Sequence, residues 1–216
     1  MIECVVFDLD GVIVDSEQVW DDVREQLVRE RNGRWHEGAQ AAMMGMSSPE
    51  WSRYLHDELG LPESPEEIND EVVRRMLERY HASLPLIDGA IDAVHRLAEA
   101  FTLGVASSSN RPLIDAVLEG AGIAGSFAVV VASEEVARGK PAPDVYLEAA
   151  RRLGHEPARC VAVEDSSNGL RAAHAAGLRV LAFPNAHYPP APDALALADV
   201  VITSLAELTP ELVRAS

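Results

Sequence analysis

Two carboxylates one residue apart, Asp8 and Asp10, end the apolar run "ECVVFD" (3–8), and Gly11 follows them. A carboxylate beside a buried strand is costly unless a cation or hydrogen bonds compensate it. Two further polar groups follow similar runs. "FTLGVAS" (101–107) leads into Ser107, Ser108, Ser109 and Asn110, and "CVAVED" (160–165) ends in Glu164 and Asp165. Lys140, in "RGKPAPD", is the only lysine among 18 basic residues. Lysine is a compact point charge and arginine a planar fork, so a lone lysine in an arginine-rich chain marks its position. Grouped acids raise one another's pKa, and a divalent cation removes the conflict. Oxygen-only ligands suit Mg²⁺, which usually shares its coordination with a substrate phosphate. The chemistry these residues support together is metal-assisted handling of a phosphorylated small molecule. Lys140, Ser107 and backbone N–H groups at a helix start would surround the phosphate oxygens.

Such residues converge only if the fold brings them together. Runs rich in β-branched residues lie at 3–8, 101–107, 127–133, 160–165, 179–183 and 199–203. Helical patterns at 90–99, 111–120, 143–153, 166–176 and near 205–214 separate or follow them. That alternation predicts an α/β fold with a Rossmann-like parallel sheet. Ligands bind such sheets at the carboxyl ends of the strands, so the acids, the serines and Lys140 are expected at one rim. Each group alone would be an ordinary strand-end turn, helix cap or solvated charge; together they would need to coincide by chance.

Residues 16–83 break the rhythm, with helical patterns at 16–31, 49–58 and 65–83 and no convincing strand. The reading is an α/β core of residues 1–14 and 86–216, with a small all-helical cap of residues 15–85 inserted after the first strand. The joining segments are expected near 12–15 and 84–88. In the first helix Trp20, Val23 and Leu27 share a stripe, while Arg24, Glu25 and Arg29 are expected to face away. Asp15 or Ser16 would supply its N-cap, with Gln18 completing a capping box.

Eighteen basic against 35 acidic residues leave a net charge of −17, which argues against nucleic acid or an anionic membrane as a partner. The same field would repel an anionic substrate, so a local positive site or a metal is required. No apolar run approaches membrane-spanning length, and the first strand begins too near Met1 to leave room for a signal peptide. A cytoplasmic protein is expected. Cys4 and Cys160 both sit in strand-like runs and read as small buried hydrophobes with free thiols.

"DLDGVIVDSE", "VASSSN", "GKPAPDVYL" and "VAVEDSSNG" resemble, in order, the four motifs of the haloacid dehalogenase superfamily. The closest branch has a helical cap after the first strand and contains β-phosphoglucomutase and many sugar-phosphate phosphatases. The resemblance implies that Asp8 is a nucleophile forming an aspartyl-phosphate and that Asp10 is the general acid/base. It implies Mg²⁺ held by the Asp8 carboxylate, the Asp10 backbone carbonyl and Asp165, with Glu164 one layer behind. Ser107, Ser108 and Lys140 would bind the transferring phosphoryl group. An acid at position 10 favours phosphoryl transfer over dehalogenation. The family's strand order also implies that Cys4 and Cys160 lie close together, yet unbonded.

The cap decides the substrate. β-Phosphoglucomutase carries a histidine where this chain has Trp20, an arginine at Ser48 and a lysine at Met76. Without those groups, hydrolysis is the expected fate of the intermediate. Arg75 or Arg79 would have to compensate for a phosphosugar mutase, the alternative reading. Trp20 either packs the cap or closes over the leaving group. Met44, with Met43 and Met46, forms either an adaptable wall or core, and Asn110 stands at the rim as a substrate contact. A third reading, a phospho-accepting signalling module, is disfavoured by the helical insertion. The expected partner is a small phosphorylated metabolite, bound by a monomer or small homo-oligomer.

Overall fold

Runs of apolar residues without alternation become strands covered on both faces, and the two most central ones show it: every residue of β1 (Cys4–Phe7) and β4 (Cys160–Glu164) is buried. The computed structural model describes residues 1–44, 46–185 and 187–215. With β2 (Thr102–Ser107), β3 (Phe127–Ala132), β5 (Arg179–Ala182) and β6 (Val200–Val201), these strands form one parallel sheet of order β3-β2-β1-β4-β5-β6. Successive side chains alternate between its faces. Cys4 and Val6 pack with Ala106, Tyr146 and Ala162, whereas Val5 and Phe7 pack with Val105, Leu113 and Val163.

Four helices stand between β1 and the rest of the sheet: α1 (Glu17–Glu30), α2 (Ala39–Met43), α3 (Ser48–Asp57) and α4 (Pro65–Ala82). Reciprocal capping starts two of them. The Ser47 N–H donates to Glu50 (2.8 Å) before α3, and the Ser64 N–H donates to Glu67 (2.9 Å) before α4. Their apolar faces, with Trp20, Leu27, Trp51 and Met76, join the cluster that includes Val5 and Phe7. The segments entering and leaving the insertion pair with each other, Asp15 N–H to the Pro85 carbonyl (2.8 Å) and Ile87 N–H to the Ile13 carbonyl (3.0 Å).

Helices α5 (Ala90–Ala98), α6 (Arg111–Gly120), α7 (Asp144–Leu153) and α8 (Ser167–Ala175) follow the predicted periodicity. The five-residue α2 and the four-residue α9 (Pro192–Leu195) are too short to show a period, and the sequence reading lacks both. The helix expected near 205–214 divides into a 3₁₀ turn at Leu205–Glu207 and α10 (Pro210–Ala215), because Pro210 begins the second piece.

Two local expectations fail. The Ser16 hydroxyl does not cap α1; it donates to the Asp10 carboxylate, the stronger acceptor, and Gln18 donates to Asp22 (2.9 Å) instead of closing a capping box. The cysteines are adjacent as expected but bonded to each other. Parallel register sets Cys4 opposite Cys160 with their Cα atoms 4.8 Å apart, a spacing a disulfide spans.

Candidate active site

The central strands end side by side, and their last residues converge. Phe7 pairs with Val163 in register, and the Asp8 N–H donates to the Val163 carbonyl (2.9 Å). Lys140 reaches this point from the loop before α7. Its ammonium lies 2.9 Å from Asp8 Oδ2 and 2.6 Å from Glu164 Oε1. Glu164 is fully buried and ringed by close donors: Tyr146 OH donates to Oε1 (2.8 Å), and the N–H groups of Asp165 and Ser166 donate to Oε2 (3.0 and 3.1 Å). Glycines make this closeness possible. A Cβ on Gly169 would collide with the Glu164 carboxylate, and one on Gly11, whose φ is +75°, with that of Asp165.

Carboxylate oxygens of Asp8, Glu164 and Asp165 lie within 4.8 Å of one another. Burial, followed by repulsion from Glu164, raises the pKa of Asp8 and of Asp165 well above the usual carboxylate range. For Glu164 burial acts in the same direction, but Lys140 and the Ser166 N–H outweigh it and hold the carboxylate ionised. Burial likewise opposes the Lys140 charge, and Asp8 and Glu164 outweigh it, leaving the ammonium more basic than a free lysine. Three acids and one base leave the cluster short of positive charge. Asp8 and Asp165 line the cavity and Glu164 does not, so Asp8 and Asp165 are the carboxylates that could hold a cation there. An all-oxygen donor set of this kind fits a hard divalent ion.

Above the cluster opens a cavity of about 580 Å³, with Asp8, Asp10, Lys140 and Asp165 on its wall and α1 to α3 across from them. The Asp10 carboxylate is fixed by three donors. Ser16 and the Trp20 indole N–H (3.3 Å) reach Oδ1, and the Ser109 hydroxyl (2.7 Å) reaches Oδ2. Trp20 therefore packs in the core and also touches the site from the insertion. Ser108 and Met44 line the cavity, as do Met43 and Met46. Ser107 is fully buried at the end of β2, where its hydroxyl accepts the Ser109 N–H (3.0 Å), and it does not reach the wall. Asn110 is also off the wall. It joins the insertion to the sheet, accepting from Ser48 (2.6 Å) and donating to Asn69 (3.2 Å) and Glu134 (2.9 Å).

Other positions differ from expectation. Arg24 does not face solvent: it is 5% exposed and lines the cavity, because its guanidinium lies over the indoles of Trp20 and Trp51. Neither Arg75 nor Arg79 lines the cavity; Arg75 pairs with Glu30 (2.6 Å) and Glu71 (2.7 Å) elsewhere. Ser48 is committed to Asn110, and Met76 is buried in the core. Tyr146, Glu17 and Arg24 are site residues that the sequence reading missed, whereas Ser109 belongs to the serine cluster it expects at the rim. For Tyr146 the signal was available, since a tyrosine on the apolar stripe of α7 must find a partner for its hydroxyl.

The sequence profile of haloacid dehalogenase-like hydrolases matches residues 2–177. The chain is 33% identical to hexitol phosphatase B of Escherichia coli K12 over 221 aligned residues, covering 96% of this chain and 95% of that one. It is 30% identical over 207 residues to the bifunctional riboflavin kinase/FMN phosphatase of Arabidopsis thaliana. That match covers 95% of this chain but 54% of the longer relative, so the chain spans about half of it. Among solved structures, CbbY from Rhodobacter sphaeroides in complex with phosphate superimposes with a TM-score of 0.87 at 28% identity, covering 99% of this chain and 100% of that one. No helix among the described residues is long and apolar enough to cross a membrane. The chain belongs to the haloacid dehalogenase-like hydrolases.

Proposed function

We propose that the protein is a Mg²⁺-dependent phosphatase of small sugar-phosphate-like monoesters, acting through a phosphoryl group carried on Asp8. The observation that carries this reading is the Lys140 ammonium shared between Asp8 and Glu164 beneath the cavity. A carboxylate attacks an anionic phosphate poorly until positive charge offsets the repulsion, and Lys140 supplies part of that charge at the attacking group. A magnesium ion held by Asp8, Asp165 and the Asp10 carbonyl would supply the remainder by neutralising phosphate oxygens. Glu164 orients Lys140, and Tyr146 orients Glu164.

In the first step Asp8 forms a bond to phosphorus, the ester P–O bond breaks, and Asp10 gives its proton to the departing alkoxide. In the second, Asp10 takes a proton from water as the water attacks phosphorus, and the Asp8–phosphorus bond breaks to release phosphate. Ser16, Trp20 and Ser109 hold Asp10 for both proton transfers. The helical insertion acts as the cap over the leaving group, with Asn110 and Ser48 tying it to the core. Hydrolysis is preferred to a mutase reaction because Ser48 and Met76 present no cation and Arg75 is spent on Glu30 and Glu71.

The test is hydrolysis of a panel of hexitol, hexose and triose phosphates with and without Mg²⁺, with β-glucose 1-phosphate isomerisation measured in parallel. Asp8→Asn is expected to lower kcat by more than about 10³-fold while preserving the fold. Retained turnover in that variant, or turnover indifferent to chelator, would overturn the reading.

A further inference from the structure

Arg24 is a buried cation on the cavity wall with an unsatisfied donor. Its guanidinium carbon lies 4.4 Å from the Trp20 ring centroid and 4.8 Å from that of Trp51, and the two indoles are themselves 5.9 Å apart. Stacking on aromatic faces offsets part of the burial. Among the described residues Nε is buried with no hydrogen-bond partner. Among the described residues Arg24 forms no ion pair or hydrogen bond, although Glu17, Asp10 and Asp21 act on its charge from farther away. Burial lowers its pKa to about 10, so it stays a cation. Its neighbours on α1 explain the placement: Glu17, Trp20 and Arg24 follow a helical i, i+3, i+7 stripe, and all three line the cavity opposite Asp8 and Lys140.

We propose that Arg24 selects substrates whose leaving group ends in a carboxylate, so that the preferred esters are phosphorylated hydroxy or sugar acids. A planar fork held over two neighbouring rings is suited to bidentate binding of a planar carboxylate. The surrounding acids favour a monoanion over a second phosphate. Glu17 stands on the same stripe, its own carboxyl pushed up to about 7 by burial and Asp10, and would repel a dianion more strongly. This assignment rests on the phosphatase reading for the substrate's other end, but it concerns binding and is tested as binding.

The test is calorimetric titration, in Mg²⁺ buffer, of the Asp8→Asn protein with matched alcohol and acid pairs: glycerol 3-phosphate against 3-phosphoglycerate, and sorbitol 6-phosphate against 6-phosphogluconate. Fructose 1-phosphate against fructose 1,6-bisphosphate asks the same of a second phosphate. At least one acid is expected to bind about tenfold or more tighter than its alcohol. Adding Arg24→Met should shrink that preference to less than about twofold, the acid losing far more affinity than the alcohol. Arg24→Lys keeps the charge without the fork, guards against misfolding of the Met variant, and should lose most of the preference. Four results would overturn the proposal: absence of acid binding or acid preference, a preference that survives both substitutions, equal weakening of acids and alcohols as expected of a mere counter-ion, or a larger preference for the bisphosphate. Turnover by the unmodified enzyme is scored separately, so the phosphatase reading can fail while the binding preference stands.

Discussion

The two walls of the cavity are built on opposite principles. On the sheet side Lys140, Asp8, Glu164 and Tyr146 satisfy one another at 2.6–2.9 Å. On the insertion side, among the described residues, Arg24 has no hydrogen-bonding or ion-pair partner, and the Glu17 carboxylate has only Gln40, at 3.2 Å. A closed network fixes geometry before any ligand arrives, which is what stabilising developing charge requires. An open, partly unsatisfied set gains most from a ligand that completes it, which is what discrimination requires. One side thus fits the chemistry and the other the choice of molecule.

The sharpest way to break this contrast is at Lys140. Lys140→Met would leave Asp8 and Glu164 buried together, and stability is expected to fall by about 3–5 kcal/mol in chemical denaturation, with kcat down about 10³-fold. Lys140→Arg restores the charge but not the shape, and should still lose at least about 10²-fold in kcat. A near-normal rate for the arginine variant would show that charge alone is needed and that the network is not preorganised.

Metal linkage comes next. Asp8 and Asp165 carry raised pKa values in the folded protein, so their contribution is fully present below the unfolded carboxylate pKa and is lost as pH rises through the folded values. Metal-free protein should therefore be less stable at pH 7.5 than at pH 5. Saturating Mg²⁺, at about a hundred times its Kd, should return about 2.7 kcal/mol at pH 7.5, read as a Tm rise of roughly 5–10 °C. At pH 5 protons compete and the rise should shrink. Equal rises at both values would remove Asp8 and Asp165 from the cation site.

Trp20 joins the two walls, since it stacks with Arg24 on one side and donates to Asp10 on the other. Trp20→Phe keeps most of the ring and deletes the N–H at 3.3 Å from Asp10. A loss of up to about tenfold in kcat with little change in KM is expected, about 1 kcal/mol. A change confined to KM would make Trp20 a substrate contact rather than a support for Asp10.

What the sequence made legible follows the same division. Asp8, Asp10 and Asp165 were readable because strand ends in a parallel sheet share a rim, and Lys140 because it is the chain's only lysine. Gly11 and Gly169 belong to the same motifs, and the structure adds why: both leave room for a carboxylate. Arg24 was misread because its charge was taken to mean solvent, although at i+4 from Trp20 it shares the buried face of α1. The partner that keeps it buried, Trp51, belongs to α3 and comes near only after packing. The Cys4–Cys160 bond was misread from composition, whereas the register that sets the sulfurs face to face was correctly anticipated.

The smallest effect isolates the open wall. Glu17 has a pKa raised to about 7, first by burial and then by Asp10, with Arg24 too far away to form an ion pair that cancels the shift. A carboxyl with a raised folded pKa adds stability below its unfolded value near 4.5 and loses it as pH climbs through 7. Glu17→Gln removes that titration and retains an acceptor for Gln40. The variant and the parent should match near pH 5, and the variant should be more stable by on the order of 1–2 kcal/mol at pH 8, because partial exposure screens part of the penalty. Urea unfolding at pH 5, 6.5 and 8 reads the gap. A gap constant across pH would mean that Glu17 is compensated as the core carboxylates are, and the contrast between the two walls would not hold at this residue.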